Sequence, residues 1–283
     1  MRILITGAAG RLGGRLAERL RAEHDVTGID IAELDLTDFA ATRAFIGDHR
    51  PDIVLHPAAW TDVEGCAREP DKALRINGYG TQHVALAAAA VGAAALYISS
   101  NEVFDGRQPA PYREYDPTAP VNPYGYSKWV GEQTLLHANP RHYIVRTAWL
   151  FAHGGTNFIQ AILNAARAGN PLRVVIDEVA NPTYNDDLAE AIARLIMTER
   201  YGIYHFTNSG ACSRLDFARY ALARAGLTHA TITAITHHEW PRLSTPPLHA
   251  ALANTAGQAV GITLRPWQEA VDAFLEREGL LAG

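Results

Sequence analysis

The chain opens with Met1-Arg2-Ile3-Leu4-Ile5-Thr6-Gly7-Ala8-Ala9-Gly10-Arg11-Leu12-Gly13-Gly14. The apolar, β-branched run predicts a strand over Arg2–Thr6, and the amphipathic stretch Leu12–Glu23 predicts the helix that follows. Between them Gly7, Gly10 and Gly13 keep the spacing G-x-x-G-x-x-G. Glycine permits the tight turn and lets the backbone approach a pyrophosphate, whose charge is favoured at a helix N-terminus. Placed between strand and helix, the pattern predicts a dinucleotide-binding turn, with Arg11 and Leu12 beside the cofactor.

Working outward, strands are predicted at His24–Ile29, Ile53–His56, Ala95–Ser99 and His142–Thr147. Helices are predicted at Phe39–Asp48, Pro70–Val91 and Tyr124–His137. Strands alternating with helices imply βαβ units and a parallel sheet covered on both faces. The second half mixes helices at Asn157–Ala168, Asp186–Thr198, Leu215–Ala225 and Trp267–Glu278 with short strands. The expected fold class is therefore α/β, a Rossmann-type doubly wound parallel sheet with a smaller C-terminal α/β region. Residues 1–150 are expected to bind NAD(P), and residues 151–283 mainly substrate, around an interleaved boundary.

Composition excludes other classes. A net charge of -5 offers no general attraction for nucleic acid or an anionic membrane. The run Val84–Leu96 is too short and Gly-interrupted to span a bilayer. Two cysteines form no disulfide framework, and a first strand that starts at Arg2 leaves no room for a signal peptide. A cytoplasmic location and no metal site are the expectations. Of 25 basic residues only Lys72 and Lys128 are lysines, so each raises the question of what Arg could not do there.

Asp30 ends the second predicted strand, where a carboxylate can bond the adenosine ribose hydroxyls. Asp35 and Leu36 would follow against the adenine, and Ala58 and Ala59 are small enough to let the cofactor lie close. Asp30 favours NADH while Arg11 could meet a 2′-phosphate, which leaves NADH and NADPH both open.

Tyr124-Gly125-Tyr126-Ser127-Lys128 contains Tyr-x-x-x-Lys, whose i,i+4 spacing puts both side chains on one helix face. A free phenol titrates near pH 10, and a nearby ammonium stabilises its phenolate. Tyr126 is excluded from the pair, because Val130 stands four residues on. Ser99 and Ser100 end the strand before this helix, at the edge where open α/β sheets bind ligands. Ser100 is the candidate for polarising a substrate carbonyl.

In this order the motifs resemble the extended short-chain dehydrogenase/reductase superfamily. Within it the chain is most similar to the dTDP-4-dehydrorhamnose reductases, across almost its whole length. The likeness rests on Ala58-Ala59-Trp60-Thr61-Asp62-Val63, Val103-Phe104-Asp105-Gly106, Asn122-Pro123-Tyr124-Gly125-Tyr126-Ser127-Lys128 and Arg146-Thr147-Ala148-Trp149. It continues through Asn157-Phe158, Pro182-Thr183-Tyr184 with Asp187-Leu188, and Gly202-Ile203-Tyr204-His205. The resemblance implies that Thr61, Val63, Trp149 and Asn157 meet a nucleotide sugar, that Asn77 kinks a helix and relays protons to Lys128, and that a homodimer is possible.

One segment departs from the pattern. Where these reductases read Ser-Thr-Asp-Tyr-Val-Phe, this chain has Ser99-Ser100-Asn101-Glu102-Val103-Phe104. Glu102 is either a hydrogen-bond partner of a sugar hydroxyl or a base that removes a proton next to a keto group. The resemblance implies NADPH- or NADH-dependent reduction of a 4-keto group on a nucleotide-linked, dTDP-type deoxysugar. An epimerase, dehydratase or decarboxylase using Glu102 as base is the alternative, as is a non-catalytic NADP-binding regulatory subunit.

Overall fold

The computed structural model describes residues 1–282. Five parallel strands alternate with helices in the first half: β1 (Arg2–Thr6), β2 (Asp25–Ile29), β3 (Ile53–His56), β4 (Ala94–Ser100) and β5 (His142–Thr147). The helices are α1 (Arg11–Leu20), α2 (Phe39–His49), α3 (Val63–Arg68), α4 (Pro70–Ala73), α5 (Gly80–Ala90) and α6 (Pro123–Ala138). Short strands pair outside the main sheet: β6 (Leu150–Phe151) with β9 (Thr183–Tyr184), β7 (Leu172–Val175) with β12 (Ile232–Ile235), and β8 (Val179–Ala180) with β11 (Cys212–Ser213). β10 (Gly202–His205) returns to the main sheet beside β5, giving the order β10-β5-β4-β3-β1-β2.

Both faces of this sheet are buried, and the period-two alternation of side chains divides the core in two. Ile3, Ile5, Leu55, Leu96 and Val145 face α1 and α8 (Asn185–Leu195), where Leu16, Leu188 and Ile192 meet them. Leu4, Val54, Ala95, Tyr97 and Ile144 face the other way, onto Ile46 of α2, Val84 and Ala88 of α5 and Leu135 of α6. A further core joins α7 (Phe158–Arg167), α9 (Arg214–Arg224) and α11 (Trp267–Arg277), built on Phe151, Leu163, Phe217 and Phe274. Between α9 and α11 lies the short α10 (Thr255–Ala259).

The winding reverses between β1 and β3, which opens a crevice at their carboxyl ends. Gly7 ends β1 at φ +62°, and a Cβ there would lie 2.9 Å from the Ala58 Cα. The two turns that bound the crevice touch backbone to backbone.

The helix predicted over Pro70–Val91 is broken. A π turn spans Leu74–Tyr79 between α4 and α5. Asn77 sits inside it, its Oδ1 accepting from Trp60 N at 2.7 Å and its Nδ2 donating to Trp60 O at 3.0 Å and to Ser127 Oγ at 2.9 Å. These long-range bonds pin one residue of the rod to two other segments, and the wider turn accommodates them.

Candidate active site

The glycine turn forms a cradle that side chains would fill. A Cβ on Gly13 would stand 2.1 Å from the Gly7 carbonyl oxygen, and one on Gly10 3.1 Å from it. Gly10 is the N-cap of α1 and offers no side chain to its first N–H groups, and the first turn holds no acidic residue. Such a terminus suits a pyrophosphate. The adjoining cavity, about 630 Å3, is lined by Gly7, Gly10, Asp30, Asp35, Leu36, Ala58 and Ala59. Asp30 accepts from Ala9 N at 3.0 Å and Ile31 N at 2.8 Å, so it braces the turn as well as facing the cavity. These residues fit an adenine dinucleotide.

Arg11 is placed differently from the sequence expectation. Its guanidinium donates to Thr156 O at 2.9 Å, and it lines a second cavity rather than the Asp30 side. Trp60, Lys72 and Arg75, none of them expected beside the cofactor from the sequence, also line the Asp30 cavity. Lys72 Nζ lies 4.5 Å from the Trp60 ring centroid.

The second cavity, about 860 Å3, shares the Gly7–Gly10 wall with the first. It brings together Leu12, Gly13, Thr61, Val63, Ser99, Ser100, Glu102, Tyr124, Lys128 and Trp149 from segments far apart in the chain. Trp149 holds φ +41°, an uncommon backbone for a bulky residue, and such strain clusters at ligand sites. Two hydroxyls, Ser99 Oγ and Thr147 Oγ1, are buried on this wall with no hydrogen-bond partner, so polar groups await a ligand.

Local structure sets the three central groups. Ser100 leaves β4 as the cap of a 3-10 turn, its Oγ accepting from Glu102 N at 3.2 Å. Tyr124 starts α6, capped by Asn122, whose Oδ1 accepts from Gly125 N at 2.8 Å. Lys128 follows one turn on, 2 % exposed, with Nζ 4.2 Å from the Tyr97 ring centroid. Burial pulls the Lys128 ammonium down to about 7, opposed by the charges of Glu132 and Cys66.

Tyr124 differs from the expectation of an ammonium-lowered phenol. Burial raises it above its ordinary value, the Glu102 carboxylate adds to that, and the Ser100 hydrogen bond pulls the other way. The phenol is thus protonated at neutral pH, the form from which a proton can be donated. Glu102 is itself raised, first by burial, while Asn122 Nδ2 donates to its Oε2 at 2.6 Å and opposes the rise.

Two expected site residues lie outside these cavities. Asn77 spends its side chain on Trp60 and Ser127 and has no hydrogen bond to Lys128 among the described residues. Asn157 caps α7 through Gln160 N at 3.1 Å and donates to Ala152 O at 2.9 Å. Conversely, Phe158, Arg214 and Phe217 line the second cavity, a place the sequence did not assign to them. Among 23 arginines no spacing singles out Arg214.

A family model described as the RmlD substrate binding domain matches residues 1–279. The chain belongs to this family. It is similar to the Bacillus subtilis spore coat polysaccharide biosynthesis protein SpsK, 38 % identical over 276 residues that cover 97 % of each chain. Among solved structures, a dTDP-4-dehydrorhamnose reductase from Clostridium acetobutylicum superposes with a TM-score of 0.95 at 35 % identity, over 99 % of this chain and 100 % of that one. The Bacillus anthracis dTDP-4-dehydrorhamnose reductase in complex with NADP superposes at 0.94 and 34 % identity, over 98 % and 99 %. The family and the α/β architecture read from the motifs are both borne out.

Proposed function

We propose that this member of the family reduces the 4-keto group of a dTDP-linked deoxysugar, with NADPH or NADH as reductant. The observation that carries the reading is the meeting of Ser100, Tyr124 and Lys128 in the second cavity, which shares Gly7, Ala9 and Gly10 with the cradle cavity. When bound, the nicotinamide supplies the hydride. Gly7, Gly10 and Gly13 would hold the pyrophosphate and Asp30 the adenosine end. In the second cavity the Ser100 hydroxyl donates to the keto oxygen. The Tyr124 hydroxyl, kept protonated by burial and Glu102, delivers its proton to that oxygen as negative charge develops there. Lys128 then faces a phenolate, and its ammonium steadies that charge.

Glu102 enters this reading as a hydrogen-bond partner of a sugar hydroxyl, held in place by Asn122. Residues 151–283 are proposed to supply most of the substrate wall. Cys66 and Cys212 are buried free thiols, which suits action in the cytoplasm. The test is cofactor stoichiometry with dTDP-4-dehydrorhamnose. One NAD(P)H oxidised per sugar reduced is expected. Turnover of the sugar without net oxidation would replace the reading with epimerase or dehydratase chemistry, and no turnover with tight cofactor binding would point to a regulatory subunit.

A further inference from the structure

A third cavity, about 340 Å3, lies outside the catalytic one and is walled by Glu64, Glu178, Trp240 and Arg242. The two share Val63, Asn101, Glu102, Trp149 and Arg214, so these residues form the neck between them. Arg214 is the one cation of that neck. Its guanidinium carbon lies 3.7 Å from the Trp149 ring centroid and 5.2 Å from that of Phe158, stacked against apolar area rather than turned to water. Its Nε is ion-paired with the buried Glu178 carboxylate at 3.6 Å, longer than an ordinary hydrogen bond. Glu178 is shared with Arg242, which pairs with it more closely.

We propose that Arg214 is a specificity residue that grips the diphosphate of the sugar nucleotide as it passes through this neck. The inference rests on the reading that the substrate is nucleotide-linked, and it adds where the two halves of that substrate lie. With the keto sugar against Ser100 and Tyr124, the nucleoside has to occupy the outer cavity. The doubly anionic linker then crosses between them. A guanidinium presents a planar fork of N–H donors that matches two phosphate oxygens at once. Burial brings Arg214 down to about 10, so it remains charged at neutral pH while carrying a desolvation cost that an anion would offset.

The carboxylates near the neck are shared with other groups. Glu178 pairs with Arg242 as well as with Arg214, Asn122 donates to Glu102, and Glu64 is tied to backbone, accepting from Leu243 N at 2.9 Å and Ser244 N at 3.2 Å. Those last two bonds fasten the segment carrying Trp240 and Arg242 across the outer cavity, which makes it a fixed wall.

The experiment titrates dTDP and thymidine separately into NADPH-loaded protein. Wild type should bind dTDP at least about 100-fold more tightly than thymidine. Arg214→Gln should cut dTDP affinity roughly 10- to 100-fold, the scale of charge-assisted hydrogen bonds, and leave thymidine and NADPH affinities within about twofold. KM for the keto sugar should rise in parallel with kcat little changed, as for lost uniform binding. Arg214→Lys, which keeps charge but not the fork, should lose several-fold and carries the test if the Gln variant does not fold. Equal dTDP affinity in wild type and variant would overturn the assignment even if keto reduction is confirmed. A dTDP preference that depends on Arg214 in a protein that reduces no keto sugar would instead sink the proposed reaction and leave the diphosphate grip standing.

Discussion

Lys128 was conspicuous in the sequence because Arg fills nearly every other basic position, and its environment explains why Arg would not serve. The ammonium is buried against the Tyr97 ring, with no ion pair among the described residues. A broad, planar guanidinium would not seat on that ring as the compact ammonium does. Its folded value, about 7, lies below the usual lysine range. The unfolded chain therefore binds more protons than the native one between about pH 7 and pH 10.5, and native stability rises with pH across that window. Lys128→Met removes the penalty. In cofactor-free protein this variant should melt higher than wild type at pH 6–7, and the gap should shrink towards pH 10. A gap that widens with pH would contradict the burial argument. Tyr124→Phe tests the proton donor: turnover should fall about a hundredfold or more with NADPH affinity unchanged. Near-native turnover in a chemistry-limited assay would remove Tyr124 from that role. Tyr124, Lys128 and Ser100 were legible because each stands in a local pattern, Tyr-x-x-x-Lys or the end of a strand. Arg214 and Phe217 were not, because what makes them cavity residues is tertiary contact alone.

The elements carry a constraint that neither pattern nor propensity revealed. Gly125 follows Tyr124 in the first turn of α6, and a Cβ there would lie 2.0 Å from the Glu102 carbonyl oxygen. The start of α6 thus packs directly on the backbone of the 3-10 turn after β4, which is how Tyr124 reaches Ser100 and Glu102. Gly125→Ala would push backbone from backbone, where no flexible side chain can yield. It should cost about 1–3 kcal/mol, the scale of overpacking. It should also lower kcat more than Ala at an exposed helical position such as Tyr126. A variant with native melting temperature and native kcat would show that the contact is dispensable. The long helix expected over Pro70–Val91 failed for a related reason. Periodicity reports which face is buried, but the π turn arises from Asn77 bonding to Trp60 and Ser127, 17 and 50 residues away. Strand positions of β1, β3, β4 and β5 were legible almost to the residue because buried parallel strands are short apolar runs; the two-residue strands β6, β8, β9 and β11 carry no such signal.

At the scale of the molecule, the two halves of the sequence do not separate into two halves of the structure. α8 and β10 come from beyond residue 150, yet α8 covers the same sheet face as α1, and β10 pairs with β5 from Gly202–Tyr143 to His205–Arg146. Leu188, Ile192, Leu195 and Phe206 are each buried against that face. A fragment of residues 1–150 would keep the glycine cradle and the Tyr124–Lys128 pair but expose one side of its sheet to water. It would also strip the partner strand from β5, leaving an open edge prone to association. Burial of a large aliphatic side chain contributes about 1.5–3 kcal/mol. Losing the cover of four such residues, about 6–12 kcal/mol, is therefore comparable with the 5–15 kcal/mol by which a whole domain is usually stable. The fragment should show no cooperative thermal transition, should be cleaved rapidly by protease, and should bind NADPH at least about a hundredfold more weakly than the full chain. Circular dichroism melting with NADPH titration decides it. A sharp transition together with near-native cofactor affinity would show that residues 1–150 form a self-sufficient domain, and that α8 and β10 merely dock on a sheet already stable without them.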